Sequence, residues 1–345
     1  MRRAFLLLLA AGSLFAEELP GWVRVAAALQ VPSYSPKTPA VVLFQEEILV
    51  VEADGRRVMT ERGVIRKLSP GHVSLSASRA YNSKSGRIRD FRAWVLSPAG
   101  KETRYGKERI IETSAADQNE YSETRIKAVS PGEDWQQNGV FAYEIVEEEQ
   151  SVFTQYSYSF QGSLPVLRTR FTLTAPAGWE ARGQILNQPD TKDAYSANGG
   201  SHTWELHGLP WLEGEDYGPE WHERAPRLAL NFFPGENRAG LRSLKDWPDV
   251  SSWISSLTDG QADSTPAIQQ KAMQLTANAS TPLEKIRAIA AFVQHTTYVS
   301  VQMNLTRGGG YTPHKASQVL TKNYGDCKDK ANLMKALLAA AGIES

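Results

Sequence analysis

Short segments in which apolar and polar residues alternate dominate the chain from Trp22 to about Trp253. They are rich in Val, Ile, Phe, Tyr and Thr, a composition typical of β-strands. Turn sequences such as Asp54-Gly55 and Asn138-Gly139 separate them, without a helical period in between. The pattern predicts a mainly β fold, with an antiparallel β-sandwich region over residues 39–252. The predicted strands are 40–51, 64–68, 89–96, 124–129, 140–146, 151–160, 165–174 and 228–233.

Two stretches have little periodicity and are predicted to be connections. Residues 17–38 are rich in Pro, Ala and Ser from Leu19 onwards, which favours a lead-in or loosely packed segment. Residues 251–265 are dense in Ser, Thr, Asp and Gly, which favours a linker.

After residue 265 the period of the apolar positions becomes helical. A helix is predicted over 266–279, where Ile268, Ala272 and Leu275 fall on one face. A second helix is predicted to begin after Thr281, because an N-cap residue, a proline and then an acidic residue follow one another there. Its apolar stripe is formed by Ile286, Ile289, Ala290 and Val293.

The last part of the chain combines a short strand with two more helices. The strand is predicted at 298–303 and a short helix at 313–320. The final helix is predicted over 327–341, with Gly342 in the position that ends it. Its apolar face is predicted to consist of Ala331, Met334, Leu338 and Ala341.

Composition narrows the class of protein. The chain has 345 residues, 41% of them hydrophobic and 22% charged, which predicts two or three folded domains with a soluble surface. The formal net charge is +0, and Lys and Arg form no long run. A nucleic-acid partner is therefore not expected.

The first residues have the pattern of a secretory signal peptide. Arg2 and Arg3 precede the apolar stretch 5–11, and Ala16 is the predicted cleavage position, so that residues 1–16 are removed. A single membrane anchor is the alternative, but its helix needs about 20 apolar residues. We expect an exported protein, periplasmic or secreted, without a transmembrane segment after the signal.

Cys327 is the one cysteine of the chain, so its thiol cannot form an intramolecular disulfide. Asp326 is a suitable N-cap and places Cys327 at the first helical position, where backbone N–H groups and the helix dipole favour a nucleophilic thiolate. The charges of Lys328 and Lys330 also favour the thiolate, whereas the charge of Asp326 disfavours it. The sequence does not determine which effect is larger. The alternative is that Cys327 is a small buried apolar residue. The charged residues Asp326, Lys328, Asp329 and Lys330 instead predict a polar, exposed helix end.

Two segments carry a resemblance to a known family. The sequence Gly310-Tyr311-Thr312-Pro313-His314, followed by Gly-Asp-Cys-Lys-Asp-Lys at 325–330, resembles the transglutaminase-like superfamily in its bacterial exported branch. In that branch a region of the DUF3857 type precedes the core, and residues 40–174 resemble it. The resemblance implies that 266–345 form the N-terminal half of an α+β domain with a papain-like fold.

The same resemblance implies a function. The family uses a Cys, His, Asp triad to form a thioester with an amide carbonyl, and hydrolysis or transfer to an amine follows. Cys327 matches the nucleophile, the substrate would be a peptide or protein amide, and neither a cofactor nor a metal is implied.

The chain departs from the family after Cys327. The family's His and Asp lie on strands after the cysteine helix, whereas residues 328–345 contain no histidine. We therefore expect a chain truncated within the core, inactive by itself, with Met334, Leu337 and Leu338 uncovered. His314 precedes the helix, and we expect a loop or capping role for it rather than that of the base.

Other residues leave further alternatives open. A metal site formed by His202, His207 and His222 is one alternative, but their spacing matches no standard zinc pattern, and we expect them to be solvated surface residues. The aromatic residues Trp204, Trp211, Tyr217 and Trp221 indicate either core packing or a groove for peptide or glycan. The rival to an enzyme is a non-catalytic exported binding or scaffold protein whose β-sandwich recognises an envelope polymer. The oligomeric state is not determined by the sequence.

Overall fold

The computed structural model describes residues 19–115, 120–151, 153–188, 194–233, 244, 246–302 and 310–345. The predicted signal peptide at 1–16 lies outside these residues. The strands, in chain order, are β1 Ala40–Val51, β2 Arg56–Lys67, β3 Ala77–Asn82, β4 Gly86–Leu96, β5 Glu102–Tyr105, β6 Ile111–Ser114, β7 Glu120–Ser122, β8 Thr124–Val129, β9 Val140–Gln150, β10 Gln155–Ser159, β11 Val166–Thr174, β12 Glu180–Leu186, β13 Tyr195–Asn198, β14 Ser201–Leu209, β15 Arg227–Phe233, β16 Thr297–Tyr298, β17 Ser300–Gln302 and β18 Tyr324–Gly325. The helices are α1 Gly21–Ala27, α2 Trp221–Arg224, α3 Trp247–Thr258, α4 Pro266–Thr276, α5 Pro282–Gln294, α6 Ala316–Lys322 and α7 Cys327–Ala340.

The large sheet has the strand order β13-β14-β11-β1-β2-β9-β4-β5. Its neighbouring strands run antiparallel except for β1 and β11, which are parallel. The predicted mainly β fold is confirmed, and the parallel pair is a departure from a wholly antiparallel sandwich. Parallel pairing requires a long connection, and here the chain between the two strands forms β2 to β10 before it returns.

Two three-stranded sheets, β3-β8-β6 and β10-β15-β12, lie over one face of the large sheet. The core between the layers consists of alternate residues of the long strands and of apolar residues from the small sheets. Its fully buried members include Leu49, Phe141, Phe171 and Leu228. The alternation places one set of side chains in this core and the other set on the outer face, as a strand period of two requires.

The outer face of the large sheet carries helix α1. Leu19, Val23 and Ala26 are buried against the sheet residues Val41, Leu43 and Trp94. The prediction of a loosely packed lead-in over 17–38 was therefore wrong for this part. The helix has seven residues and lacks a side-chain cap, so burial on the sheet rather than intrinsic propensity stabilises it.

A row of alternating charges crosses the same outer face. Residues on six adjacent strands stand in register, and the two inner arginines, Arg170 and Arg62, each lie between carboxylates of the neighbouring strands. Glu46 accepts from Arg62 Nη1 at 3.2 Å, and Glu144 accepts from Arg62 Nε at 2.7 Å. The row, in strand order, is Glu205, Arg170, Glu46, Arg62, Glu144 and Arg92.

The C-terminal region is helical, as predicted. Helices α4, α5, α6 and α7 pack around Ile268, Ile289, Leu333 and Leu337. Helix α4 begins at the N-cap Thr265, and α5 begins with a complete capping box of Thr281 and Glu284. The predicted strand at 298–303 is reduced to the short strands β16 and β17, and Met303 lies outside the described residues.

Three predictions for this region were wrong. The expected linker at 251–265 contains most of α3, which Asp246 caps and whose Trp253 is buried. The predicted apolar face of α7 was wrong for Ala331, which is exposed, whereas Met334, Leu338 and Ala341 belong to the helical core as predicted. Leu333 and Ala336 are buried as well. Leu337 and Leu338 are buried and Met334 packs against the same cluster, because the three other helices cover them. Within the described residues, we find no helix long and apolar enough to cross a membrane.

Candidate active site

Cys327 is the first residue of α7 and is exposed. Its neighbour Asp326 is the N-cap, and its carboxylate accepts the backbone N–H of Asp329 at 3.4 Å. Lys328 Nζ donates to the same Asp326 carboxylate. The exposed thiol at a helix N-terminus matches the predicted placement and not the alternative of a buried packing residue. Its role as nucleophile stays a prediction.

The start of α7 is nevertheless not a solvated polar end. Asp326 is 4% exposed and Asp329 0% exposed, so the carboxylates that the sequence placed at the surface are buried. Their burial is possible because backbone N–H groups and the Lys328 ammonium satisfy their oxygens. Lys330 turns away from the thiol and donates to the carbonyls of Gln294 and Thr296, at 3.1 and 3.0 Å.

Asp329 joins the helix to the loop that contains His314. The backbone N–H of His314 donates to Oδ1 of Asp329 at 2.8 Å, and Nδ1 of His314 lies 3.1 Å from Oδ2. Asn332, one turn further along α7, donates to the His314 carbonyl at 2.9 Å and to the Gln261 carbonyl at 2.8 Å. These contacts give His314 the role of a loop anchor. The sequence reasoning missed Asp329, although its position three residues after an N-cap is the signal for a capping box.

The segment before Cys327 is fixed by a small parallel sheet. β18 pairs with β16, and the N–H of Val299 donates to the carbonyl of Gly325 at 3.2 Å. A Cβ on Gly325 would lie 2.6 Å from the Cβ of Asp329, so this approach of strand and helix requires glycine. The chain therefore enters α7 from a short strand that is paired with β16.

A second concave region lies in the β-sandwich between the two small sheets. It is a cavity of about 380 Å³ whose walls include Glu47, Glu61, Arg79, Tyr143 and Tyr156. Arg79 Nη1 lies 3.5 Å from the carboxylates of both Glu47 and Glu61. Burial raises the pKa of Glu47 to about 7, against the lowering influence of Arg79 and of the Tyr156 hydroxyl.

The histidines and aromatic residues that the sequence marked do not form one site. His202 bonds with the Tyr195 hydroxyl at 2.8 Å and His207 with Glu205 at 2.7 Å. A search of the residues that the structure describes finds no group of three or more His, Cys, Asp or Glu side chains able to hold a metal ion. Trp204 is buried in the sandwich core, whereas Tyr217 is fully exposed.

The β-sandwich and the helical region that ends in the cysteine helix each correspond to a known family of domains. Residues 269–345 match the transglutaminase-like superfamily, and residues 53–212 match DUF3857, a domain of unknown function with solved structure. The chain thus combines a DUF3857 domain with a transglutaminase-like core.

One solved structure has a similar fold. The crystal structure of a candidate protease from Parabacteroides distasonis ATCC 8503 is similar with a TM-score of 0.65 and 16% identity over 89% of this chain and 59% of that chain. This likeness shows the fold alone, and the present chain spans about three fifths of that relative. An M1 zinc metallopeptidase from Deinococcus radiodurans has 9% identity over 89% of this chain and 88% of that chain, with a TM-score of 0.29, which is too low to indicate a shared fold. A search of curated proteins found no significant match.

Proposed function

We propose that this chain is part of an exported enzyme that performs cysteine-dependent acyl transfer or hydrolysis at peptide or protein amide bonds. The observation that carries the proposal is the exposed thiol of Cys327 at the first position of α7, within a transglutaminase-like core. The partial positive charge of the helix N-terminus stabilises negative charge, which favours the thiolate needed for attack.

The proposed reaction has two steps. The thiolate attacks the amide carbonyl carbon, the C–N bond breaks, and the amine leaves with a proton while a thioester forms. Water or a second amine then attacks the thioester, which releases the acyl product and the thiol. Both steps need a general base and acid. The ring of His314 makes no hydrogen bond to the thiol and is held by Asp329, so we propose that another group supplies the base.

The first test is the reactivity of the thiol in the folded protein. Iodoacetamide labelling is followed against pH, with the Cys327→Ser variant as the blank and the chain in denaturant as the reference. We expect labelling of the folded chain that is faster at pH 7 than that of the unfolded chain. Protection of Cys327 until the protein unfolds would contradict the proposal and favour a non-catalytic binding or scaffold protein.

Export is a separate part of the proposal and rests on the pattern of residues 1–16. Expression of the full chain in a bacterium, followed by fractionation and mass spectrometry, tests it. We expect a periplasmic or secreted product that begins at Glu17. A cytosolic product that retains Met1 would show that the N-terminal pattern is not a signal peptide.

A further inference from the structure

The loop Gly310–His314 meets the β-sandwich at its Tyr311 end. The ring of Tyr311 lies 5.7 Å from that of Phe153, in the sandwich, and 5.3 Å from that of Trp253, in helix α3. Phe153 and Trp253 also contact each other edge to face at 5.3 Å. Edge-to-face pairs at this spacing are favourable, so the three rings form one aromatic contact between three separate parts of the chain.

The other end of the same loop is fixed to the cysteine helix. His314 is bonded to Asp329 through its backbone N–H and its ring, and Asn332 bonds its carbonyl. Three residues of chain cover at most about 10 Å, so Tyr311 lies near the first turn of α7. The loop is therefore anchored at both ends.

A second connection joins the sandwich to the entrance of α7. Strand β17 pairs in parallel with β7, which precedes strand β8 of the sandwich, and β16, just before β17, pairs with β18, which ends two residues before Cys327. The β region thus contacts the loop that contains Tyr311, through Phe153, and strand β17, through β7.

We propose that the β-sandwich forms one wall of the substrate cleft at Cys327, with Tyr311 as the specificity-determining residue and Asp329 as the residue that positions its loop. This inference rests on the function proposed above. Tyr311 is 50% exposed even though two aromatic rings contact its ring, so part of this residue remains open to a substrate. An extended peptide advances about 3.3 Å per residue, so a side chain three residues from the attacked carbonyl lies about 10 Å from it, the same order as the stretch of chain between His314 and Tyr311. An apolar or aromatic side chain suits the exposed part of Tyr311.

The test compares two peptide chloroacetamides that differ only in the residue three positions from the electrophile, phenylalanine in one and serine in the other. The thiolate displaces chloride from the CH₂ group, so the alkylation rate measures how well each peptide is held beside Cys327. For the unaltered chain we expect the phenylalanine probe to react about three- to tenfold faster than the serine probe. Tyr311→Ala and Asp329→Asn should bring this ratio close to one, while Tyr311→Phe keeps it.

The control variant is Tyr217→Ala, which removes a fully exposed tyrosine of the β region and should leave the ratio unchanged. Iodoacetamide rates, measured on the same samples, should change by less than about threefold in the Tyr311 and Tyr217 variants, because these substitutions lie outside the helix that bears the thiol. Tyr311→Ala alters a half-exposed side chain, so we expect this variant to fold. It therefore tests the inference even if Asp329→Asn does not fold.

The outcomes separate this inference from the proposed function. A ratio of one in the unaltered chain, or an unchanged ratio in Tyr311→Ala, overturns the inference while iodoacetamide labelling still supports the nucleophile. A folded chain that reacts with none of the reagents overturns both.

Discussion

Asp326 and Asp329 each accept the backbone N–H of the other, at 3.4 Å from Asp329 N to Asp326 Oδ1 and at 3.3 Å from Asp326 N to Asp329 Oδ2. This reciprocal arrangement is a capping box in which both members are aspartates. Because Cys327 lies between them in sequence, the same contacts that begin the helix also fix the backbone that carries the thiol.

Removal of the N-cap should loosen the cysteine end of α7. We expect Asp326→Ala to lower the free energy of unfolding by about 1 kcal/mol and to slow the labelling of Cys327 at pH 7, because helix ends without a cap fray. Asp326→Asn keeps an acceptor in the same place and should lose less than half of that stability. Urea unfolding and iodoacetamide labelling measure the two effects, and equal stability of the three proteins would contradict the role of the cap.

A side chain at residue 325 should disrupt the approach of strand β18 to the helix. The Cβ of Gly325→Ala would lie 2.6 Å from Asp329 Cβ, which neither backbone segment can accommodate without moving. We expect a loss of about 1–3 kcal/mol, the range of overpacked interiors. Gly21→Ala is the matched control, since a Cβ at Gly21 meets nothing within 4 Å, and it should be neutral or slightly stabilising. Thermal unfolding of both variants checks the difference.

The buried carboxyl of Glu47 should make stability depend on pH. Its pKa is raised from 4.5 to about 7 by burial, and the charged and titratable groups that face it are Arg79, Tyr156, Glu61 and Glu147. The folded state binds this proton more tightly than the unfolded state does, so the stabilisation is complete below pH 4.5 and is lost as the pH rises through 7. Relative to Glu47→Gln, the unaltered chain should lose up to about 3 kcal/mol between pH 4.5 and 8.

Unfolding by urea at several pH values measures this difference. Glu180→Gln, at an exposed position of strand β12, is the control and should run parallel to the unaltered chain. A constant difference between the unaltered chain and Glu47→Gln across this pH range would show that Glu47 ionises normally in the fold.

The stabilisation that the charge row on the outer face provides should depend on its buried acids. Glu144 is 5% exposed and accepts from both Arg62 and Arg92. We expect Glu144→Ala to cost about 1–3 kcal/mol, because it removes the acceptor of two partly buried guanidinium groups. Glu180→Ala removes an exposed acid bonded to the exposed Arg182 and should cost about 0–1 kcal/mol. Similar losses in the two variants, measured by chemical unfolding, would argue against a stabilising row.

The sequence predicted well those elements whose signals are local. Strand β8 has the predicted bounds, and the capping of α5 by Thr281 was confirmed in full. Alternation and capping depend on a few adjacent residues, which is why they can be recognised without the fold. Strand β2 begins at Arg56 rather than at residue 64, and β9 ends at Gln150 rather than at residue 146. The additional residues include many polar ones that pair across the sheet, and the sequence of one strand alone does not reveal this pairing.

The elements that the sequence missed are those that packing creates. Helix α1 exists because Val23 and Ala26 cover the outer sheet face, and α3 exists in a stretch rich in Ser and Asp because Trp253 finds aromatic partners. Neither of these packing surfaces can be recognised from the local sequence. The burial of Leu333 and Ala336 on α7 was missed for the same reason, since the three other helices cover these residues.

By itself, the sequence determined the order of a β-rich part and a helical part, the helix that starts at Cys327, and the motif around it. Tertiary structure alone decided that the thiol is exposed while the two acids beside it are buried, and that Tyr311 rests on Phe153 from the sandwich. The physical reason is that burial depends on which distant segments approach a residue. Strand, helix and cap signals come from neighbours within about four residues.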